Sequence, residues 1–262
     1  MNQIDLKGRV AVVTGGAQGI GYATSERLLR SGASVVMWDI DAAKLEEAQA
    51  SLSKIGTVHG HVVELTSDEA VAAATAQTIQ TCGHIDILVN NAGITGGNAP
   101  TWELDPQVWR RVIEVNLIAP FLTCRAIAPH MTTRGWGRIV TSASSGVVAP
   151  IPNLGISNAM RMSLVGWSKT LAREVAREGI TCNVVVPGRI ATPRITFLDE
   201  QKAKREGRRV GDVAAESTAS IPLGRYGDPQ EYADTVAFLA SKRASYITGS
   251  IVRVDGGMIA SI

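Results

Sequence analysis

The run Thr14-Gly15-Gly16-Ala17-Gln18-Gly19-Ile20-Gly21 directly follows the apolar segment Val10 to Val13. It opens onto Tyr22-Ala23-Thr24-Ser25-Glu26-Arg27-Leu28-Leu29, which reads as a helix. Glycines at 15, 19 and 21 permit a tight turn and close backbone approach, and a helix starting behind them offers free N–H groups to an anion such as a pyrophosphate. Strand before and helix after are the context that gives a short glycine pattern meaning. A carboxylate, Asp39, closes the second apolar run Val35-Val36-Met37-Trp38, 18 positions beyond Gly21. There it can accept hydrogen bonds from an adenosine ribose and would repel a 2′-phosphate. No Arg or Lys lies in the turn or beside Asp39, so the residues favour NAD over NADP as the dinucleotide. The competing reading of Asp39 is a solvated turn residue.

Other reactive side chains are sparse. Cys82, Cys124 and Cys182 are far apart and form no CxxC, the usage expected of reduced thiols in a cytoplasmic protein. His59 and His61 flank one glycine in a strand-like run and read as a surface or half-buried pair, so no metal site is expected.

The elements that must hold these residues alternate along the chain. Short β-rich runs at Val10 to Thr14, Ser34 to Trp38, Thr57 to Val63, Ile85 to Asn90, Arg138 to Ser142, Thr181 to Val186 and Ile251 to Val254 are separated by longer helix-like stretches. Several are apolar at successive positions, as in Asn183-Val184-Val185-Val186, the pattern of strands covered on both faces. A Rossmann-type doubly wound parallel sheet, an α/β fold in one domain spanning 1–262, follows. Helix starts are signalled by Ser67-Asp68-Glu69 and by Asp105-Pro106 before Val108 to Ala119. The stretch from Arg194 to Ser220 is irregular and charged, and could be a mobile cover over a site.

Composition narrows the function class. With 262 residues and 45% hydrophobic content, the chain can bury one large core. Its 26 basic and 24 acidic residues leave a net charge of +2, which provides no global field for nucleic acid or an anionic membrane. No uninterrupted apolar run approaches the ~18 residues that suggest a membrane span, and Met1 to Arg9 does not read as a targeting segment. Function must come from a local site that takes a small molecule.

Taken together, these residues resemble the short-chain dehydrogenase/reductase family, in particular its members that act as 3-oxoacyl-ACP reductases. The similarity runs from Leu6-Lys7-Gly8-Arg9 to Val254-Asp255-Gly256-Gly257. The glycine turn is similar to the family's cofactor motif, Asn90-Asn91-Ala92-Gly93 to its NNAG motif, Asn116 to its helix asparagine, and Pro187-Gly188 with Thr192 to its nicotinamide-side motif. The resemblance implies that Gly15, Gln18, Gly19, Ile20 and Gly21 hold the pyrophosphate and that Glu64 and Leu65 flank the adenine. It also implies that Asn91, Ala92 and Gly93 line the adenosine side, while Pro187, Gly188, Ile190 and Thr192 serve the nicotinamide. Asn91 and Asn116 have a structural reading too, since buried amides often complete backbone hydrogen bonding. The segment Ala244 to Gly249 and the final strand are similar to the family's subunit contacts, implying a homo-oligomer, a tetramer.

The resemblance breaks at the catalytic positions. The family places a Ser thirteen residues before a Tyr and a Lys four beyond it. Anchoring on Gly166-Trp167-Ser168-Lys169 puts Ser157 at the tyrosine position, Arg161 at the lysine position and Ser144 at the serine position. An aliphatic hydroxyl is a far weaker acid than a phenol, and Arg is a permanent cation that relays no protons. Ser157 and Arg161 remain i and i+4 on one helix face. The expected catalytic set is therefore Ser144, Asn116 and Ser157 orienting substrate, with Arg161 on the nicotinamide ribose. Of the tyrosines, Tyr226 is expected to pack beside Arg225 rather than reach the site.

The resulting expectation is an NAD(P)(H)-dependent oxidoreductase with a non-standard active site, reducing a small carbonyl, imine or conjugated C=C. The alternative is a non-catalytic dinucleotide-binding scaffold or sensor. The segment 194–221 would be the substrate lid. Its cations Arg194, Lys202, Lys204, Arg205, Arg208 and Arg209 make anionic substrates conceivable, but the interleaved Asp199, Glu200, Glu206, Asp212 and Glu216 make a solvated helix face the better reading.

Overall fold

The computed structural model describes residues 4–261. Seven strands form one parallel sheet: β1 (Val10–Thr14), β2 (Ser34–Asp39), β3 (Val58–Val62), β4 (Ile87–Asn90), β5 (Gly137–Ser142), β6 (Ile180–Pro187) and β7 (Ile251–Val254). Their spatial order is β3-β2-β1-β4-β5-β6-β7. The order reverses between β1 and β4, and a crevice opens at such a switch point beyond the strands' carboxyl ends. Each expected strand is present within one or two residues of its expected ends, because runs such as Ile87 to Val89 and Cys182 to Val186 bury nearly all their side chains.

Helices cover both faces. The crossovers are α1 (Gly19–Arg30), α2 (Ala42–Leu52), α3 (Asp68–Cys82), the helical run α4 (Pro106–Ile113) to α5 (Ala119–Arg134), α6 (Gly155–Val175), the pair α7 (Pro193–Glu206) and α8 (Val210–Ala219), and α9 (Pro229–Ala240). Successive strand residues point to opposite faces, so β1 feeds two cores. One packs Ala11, Val13, Val35 and Val89 with Leu28, Tyr232 and Val236. The other packs Val12, Leu88 and Ile139 with Val71, Ile127 and Met131. The two layers make this a single-domain Rossmann-type fold.

The helix expected from Val108 to Ala119 continues to Arg134 through a π-helical turn at Glu114–Ile118. Pro120 has no N–H to give the Asn116 carbonyl, so the ladder widens there, with the Ala119 N–H reaching Glu114 O. This 29-residue run contains an 18-residue stretch with a mean hydropathy of 1.4 and is long and apolar enough to cross a membrane by those measures. Its apolar face, including Leu122, Ile127 and Met131, is packed in the core, which accounts for that hydropathy.

The irregular cover expected from Arg194 to Ser220 is instead two ordered helices. Pro193 supplies the first-turn residue of α7, and Asp199 and Ala203 bury one face of it. Tyr226 donates to Asp199 Oδ2 at 2.6 Å, so it ties the turn before α9 to the lid. It thus reaches beyond Arg225, and it does not line the cavity described below.

Candidate active site

A cavity of about 590 Å³ opens at the carboxyl ends of the strands. At one end lies the glycine turn. Gly15 and Gly19 have φ of 63° and 54°, and a Cβ on Gly21 would fall 1.9 Å from Gly15 O. The turn can close only without those side chains. Gln18, the N-cap of α1, makes no side-chain capping bond, so the first-turn N–H groups face a ligand rather than a cap. Gly15, Gln18, Gly19 and Ile20 line the cavity, while Gly21 acts behind it by admitting the turn.

Asp39, at the end of β2, is 8% exposed and lines the same cavity. Its Oδ2 accepts the Ala17 N–H at 3.1 Å and its Oδ1 the Asp41 N–H at 3.2 Å. It is therefore a built part of the loop rather than a solvated turn residue. Each carboxylate oxygen keeps accepting capacity for a ribose hydroxyl. Beside it, Glu64 accepts from the Thr66 hydroxyl at 2.8 Å and from Arg111 at 3.3 Å. Partial burial opposes ionisation of Glu64, but those bonds hold its carboxyl below the ordinary value. Glu64 and Leu65 both line the cavity.

Asn91, Ala92 and Gly93 follow β4 across the crevice. The Asn91 amide donates to Thr14 O and Gly15 O, each at 3.2 Å, pinning the glycine turn to β4 while lining the cavity. Asn116 is fully buried, and its amide is satisfied by the Ile94 N–H at 2.9 Å and Ile94 O at 2.8 Å. It fixes the strand's exit and does not line the cavity. Pro187 and Thr192 line the cavity. Gly188 admits the backbone of Asp255, and Ile190 packs into the core.

At the far end, α6 turns Ser157 and Arg161 to its buried face. Arg161 is 5% exposed and lines the cavity. Its Nη1 donates to Ser142 O at 2.8 Å, and a Cβ on Gly93 would lie 1.9 Å from its Nη2. Gly93 thus leaves the space that the guanidinium fills. Burial lowers the Arg161 pKa to about 10, with the charge of Arg194 acting in the same direction; it stays cationic at neutral pH. Ser144 and Ser157 sit beside this end but not on the cavity wall. The Ser144 hydroxyl accepts the Gly146 N–H at 3.2 Å.

Sequence reasoning did not single out Ser142 or Tyr232. Tyr232 is 1% exposed on α9, and its hydroxyl donates to Ser142 Oγ at 2.8 Å. Burial raises its pKa well above that of an ordinary phenol, so it anchors Ser142 as a neutral donor. Nothing in the local sequence pairs residues 142 and 232; the contact exists because α9 packs on β5 and β6. Among the described residues no cluster of potential metal ligands occurs.

A doubly wound sheet with a glycine turn, an uncapped helix start and a carboxylate at the end of β2 defines a dinucleotide-binding α/β protein, and these residues fit such a group. A family profile described as "Enoyl-(Acyl carrier protein) reductase" matches residues 15–259. The chain is 40% identical over 259 residues to 3-oxoacyl-(acyl-carrier-protein) reductase FabG of Salmonella typhimurium, covering 97% of this chain and 99% of that one. It is 33% identical to 2-dehydro-3-deoxy-L-rhamnonate dehydrogenase (NAD(+)) of Sphingomonas sp., covering 95% of each. The crystal structure of L-sorbose reductase from Gluconobacter frateurii, complexed with NADPH and L-sorbose, superposes with a TM-score of 0.94 at 34% identity, covering 100% of both chains. The chain belongs to the short-chain dehydrogenase/reductase family.

Proposed function

We propose that this protein is an NAD(H)-linked oxidoreductase that reduces a small carbonyl, imine or conjugated C=C without a tyrosine acid. The observation that carries this reading is the continuous cavity running from the glycine turn and Asp39 to Arg161 and Thr192. NAD is preferred over NADP because Asp39, already committed to the Ala17 N–H, keeps a negative charge where a 2′-phosphate would lie. The bound dinucleotide supplies or takes the hydride. The glycine turn and the start of α1 hold its pyrophosphate, Asp39 its adenosine ribose, and Asn91 to Gly93 with Pro187 and Thr192 the rest.

Arg161 supplies a fixed positive charge at the other end. A preorganised guanidinium in a water-poor site, with donors beyond the one given to Ser142 O, holds the nicotinamide ribose and attracts negative charge on a substrate. Ser157 makes no side-chain hydrogen bond among the described residues and, just behind the cavity wall, keeps a weak donor free for a substrate that displaces the residues in front of it. Ser144 and Asn116 support the surrounding loops. The proton then comes through water or from the substrate itself, which favours acceptors that need little enzyme acid over simple ketones.

Calorimetry with NADH and NADPH, followed by a substrate screen, tests this reading. NADH is expected to bind more tightly, and absence of dinucleotide binding would defeat it. Brisk reduction of an ordinary 3-oxoacyl thioester with Ser157 intact would remove the preference for less demanding acceptors. One observation favours a second reading, a non-catalytic dinucleotide-binding scaffold or sensor: Ser144 and Ser157 stand off the cavity wall. The double change Ser157→Tyr with Arg161→Lys separates the two. A specialised enzyme loses its own reaction, whereas a dormant scaffold gains carbonyl reduction.

A cytoplasmic location is supported by three free cysteines, two of them buried. A homotetramer is supported by the exposed edge strand residue Ile251 and the fully exposed Tyr246, and sedimentation of the purified protein tests it.

A further inference from the structure

The charged residues that line the cavity are unevenly distributed. Its carboxylates, Asp39 and Glu64, are both engaged, Asp39 by backbone N–H groups and Glu64 by Thr66 and Arg111. That pairing also neutralises Arg111. The remaining cations on the wall, Arg161 and Arg194, have no carboxylate within salt-bridge distance among the described residues. Lys204 and Arg209 of the lid are also without such a partner but do not line the cavity, whereas other lid cations are paired off. Lys202 pairs with Glu216 at 2.9 Å, and Arg208 pairs with Glu206 at 3.0 Å and with Glu216.

Arg161 is only 5% exposed and spends one donor on Ser142 O. A guanidinium has five N–H donors in a planar fork. A desolvated cation with unmet donors, open only toward a cavity, is a costly arrangement unless an anion enters. Arg194 lies in the first turn of α7, whose N-cap Thr192 makes no side-chain capping bond. The positive end of that helix therefore adds to its charge.

We propose that the substrate carries a carboxylate, gripped between Arg161 and Arg194 at the end of the cavity away from Asp39. This rests on the oxidoreductase reading and names the substrate class it takes: small oxo or hydroxy acids, or their unsaturated counterparts. The two guanidinium forks match a carboxylate's paired oxygens, and the anion relieves the repulsion between two like charges. The same oxyanion chemistry has a second source, the pyrophosphate of the dinucleotide, because Thr192 reaches the glycine turn at Gly19.

The test compares matched acids and neutral analogues at constant ionic strength: lactate with 1,2-propanediol, gluconate with glucitol, and 4-oxopentanoate with 5-hydroxy-2-pentanone. Binding is read by calorimetry and by thermal shift, with and without NADH, on the wild type and on Arg194→Gln. At least one acid is expected to bind tenfold or more tightly than its neutral partner, and Arg194→Gln is expected to abolish that preference while NADH affinity stays within about twofold. No acid preference in any pair overturns the proposal. So does an Arg194→Gln variant that loses NADH affinity and keeps the acid preference, which would assign Arg194 to the pyrophosphate. Acid preference in a wild type that binds no NADH would instead uphold the anion subsite and remove the oxidoreductase reading.

Discussion

Asp39 and Arg161 are both almost fully buried charges, but their surroundings treat them in opposite ways. Asp39 receives two backbone N–H bonds, and hydrogen bonds to a charged group contribute about 1.5–3 kcal/mol each. Asp39→Asn keeps the shape and loses the charge. It should weaken NADH binding by about tenfold or more, since ~1.4 kcal/mol is a factor of ten, and should narrow the difference between NADH and NADPH in calorimetry. Arg161 receives no counter-charge among the described residues, so its burial opposes stability. Arg161→Met should leave the urea unfolding free energy unchanged or raise it, while turnover falls by about two orders of magnitude. A variant that loses both together would mean that Arg161 is held for structure alone.

At the scale of elements, α7 and α8 are tied down by a few polar contacts. The Tyr226 hydroxyl reaches buried Asp199, and Arg189 approaches the same carboxylate at 3.6 Å. Tyr226→Phe should weaken lid docking by about 1.5–3 kcal/mol, read as faster hydrogen exchange confined to residues 193–219. The second tie is Glu216, bonded to Lys202 and Arg208, which hold its pKa at about 2 against an ordinary 4.5. Because the folded value is depressed, the brace is fully present above pH 4.5 and is lost as the pH falls through about 2. Pepsin digestion should therefore distinguish wild type from Glu216→Gln at pH 4.5, with the variant cut faster between α7 and α8, and the difference should vanish near pH 2.

Across the whole molecule, the two ends of the sheet do different work. The carboxyl ends of the strands carry the cavity, and the amino ends carry a buried charge cluster around Asp86. Its side chain is fully buried, accepts from Arg9 and the Val10 N–H at 3.0 Å each, and lies 2.8 Å from His84 Nε2. Asp86→Ala leaves the Arg9 guanidinium and the Val10 N–H without their buried acceptor and should cost about 3–5 kcal/mol in urea unfolding. Because the cluster lies at the opposite strand ends, the residual folded protein should keep its NADH affinity.

Much of this was legible in the chain itself. The runs Val10 to Thr14 and Ile251 to Val254 mark strands at their observed limits; the first is buried throughout, as a β-rich apolar run in a two-faced sheet must be, and the second, interrupted by Arg253, is the half-exposed edge. The glycine turn and Asp39 are close in sequence to the elements that place them, so local pattern located them as well. Residues whose partners come from distant segments were not legible. Tyr232 meets Ser142 across 90 positions, and Arg194 is distinguished from the other lid cations only by the way α7 docks. Sequence determined the layered fold and the dinucleotide end of the cavity, since both follow from short-range periodicity and turn chemistry. Only the tertiary structure decided which charges were paired off and which faced the cavity, because pairing depends on how separate helices pack against one sheet.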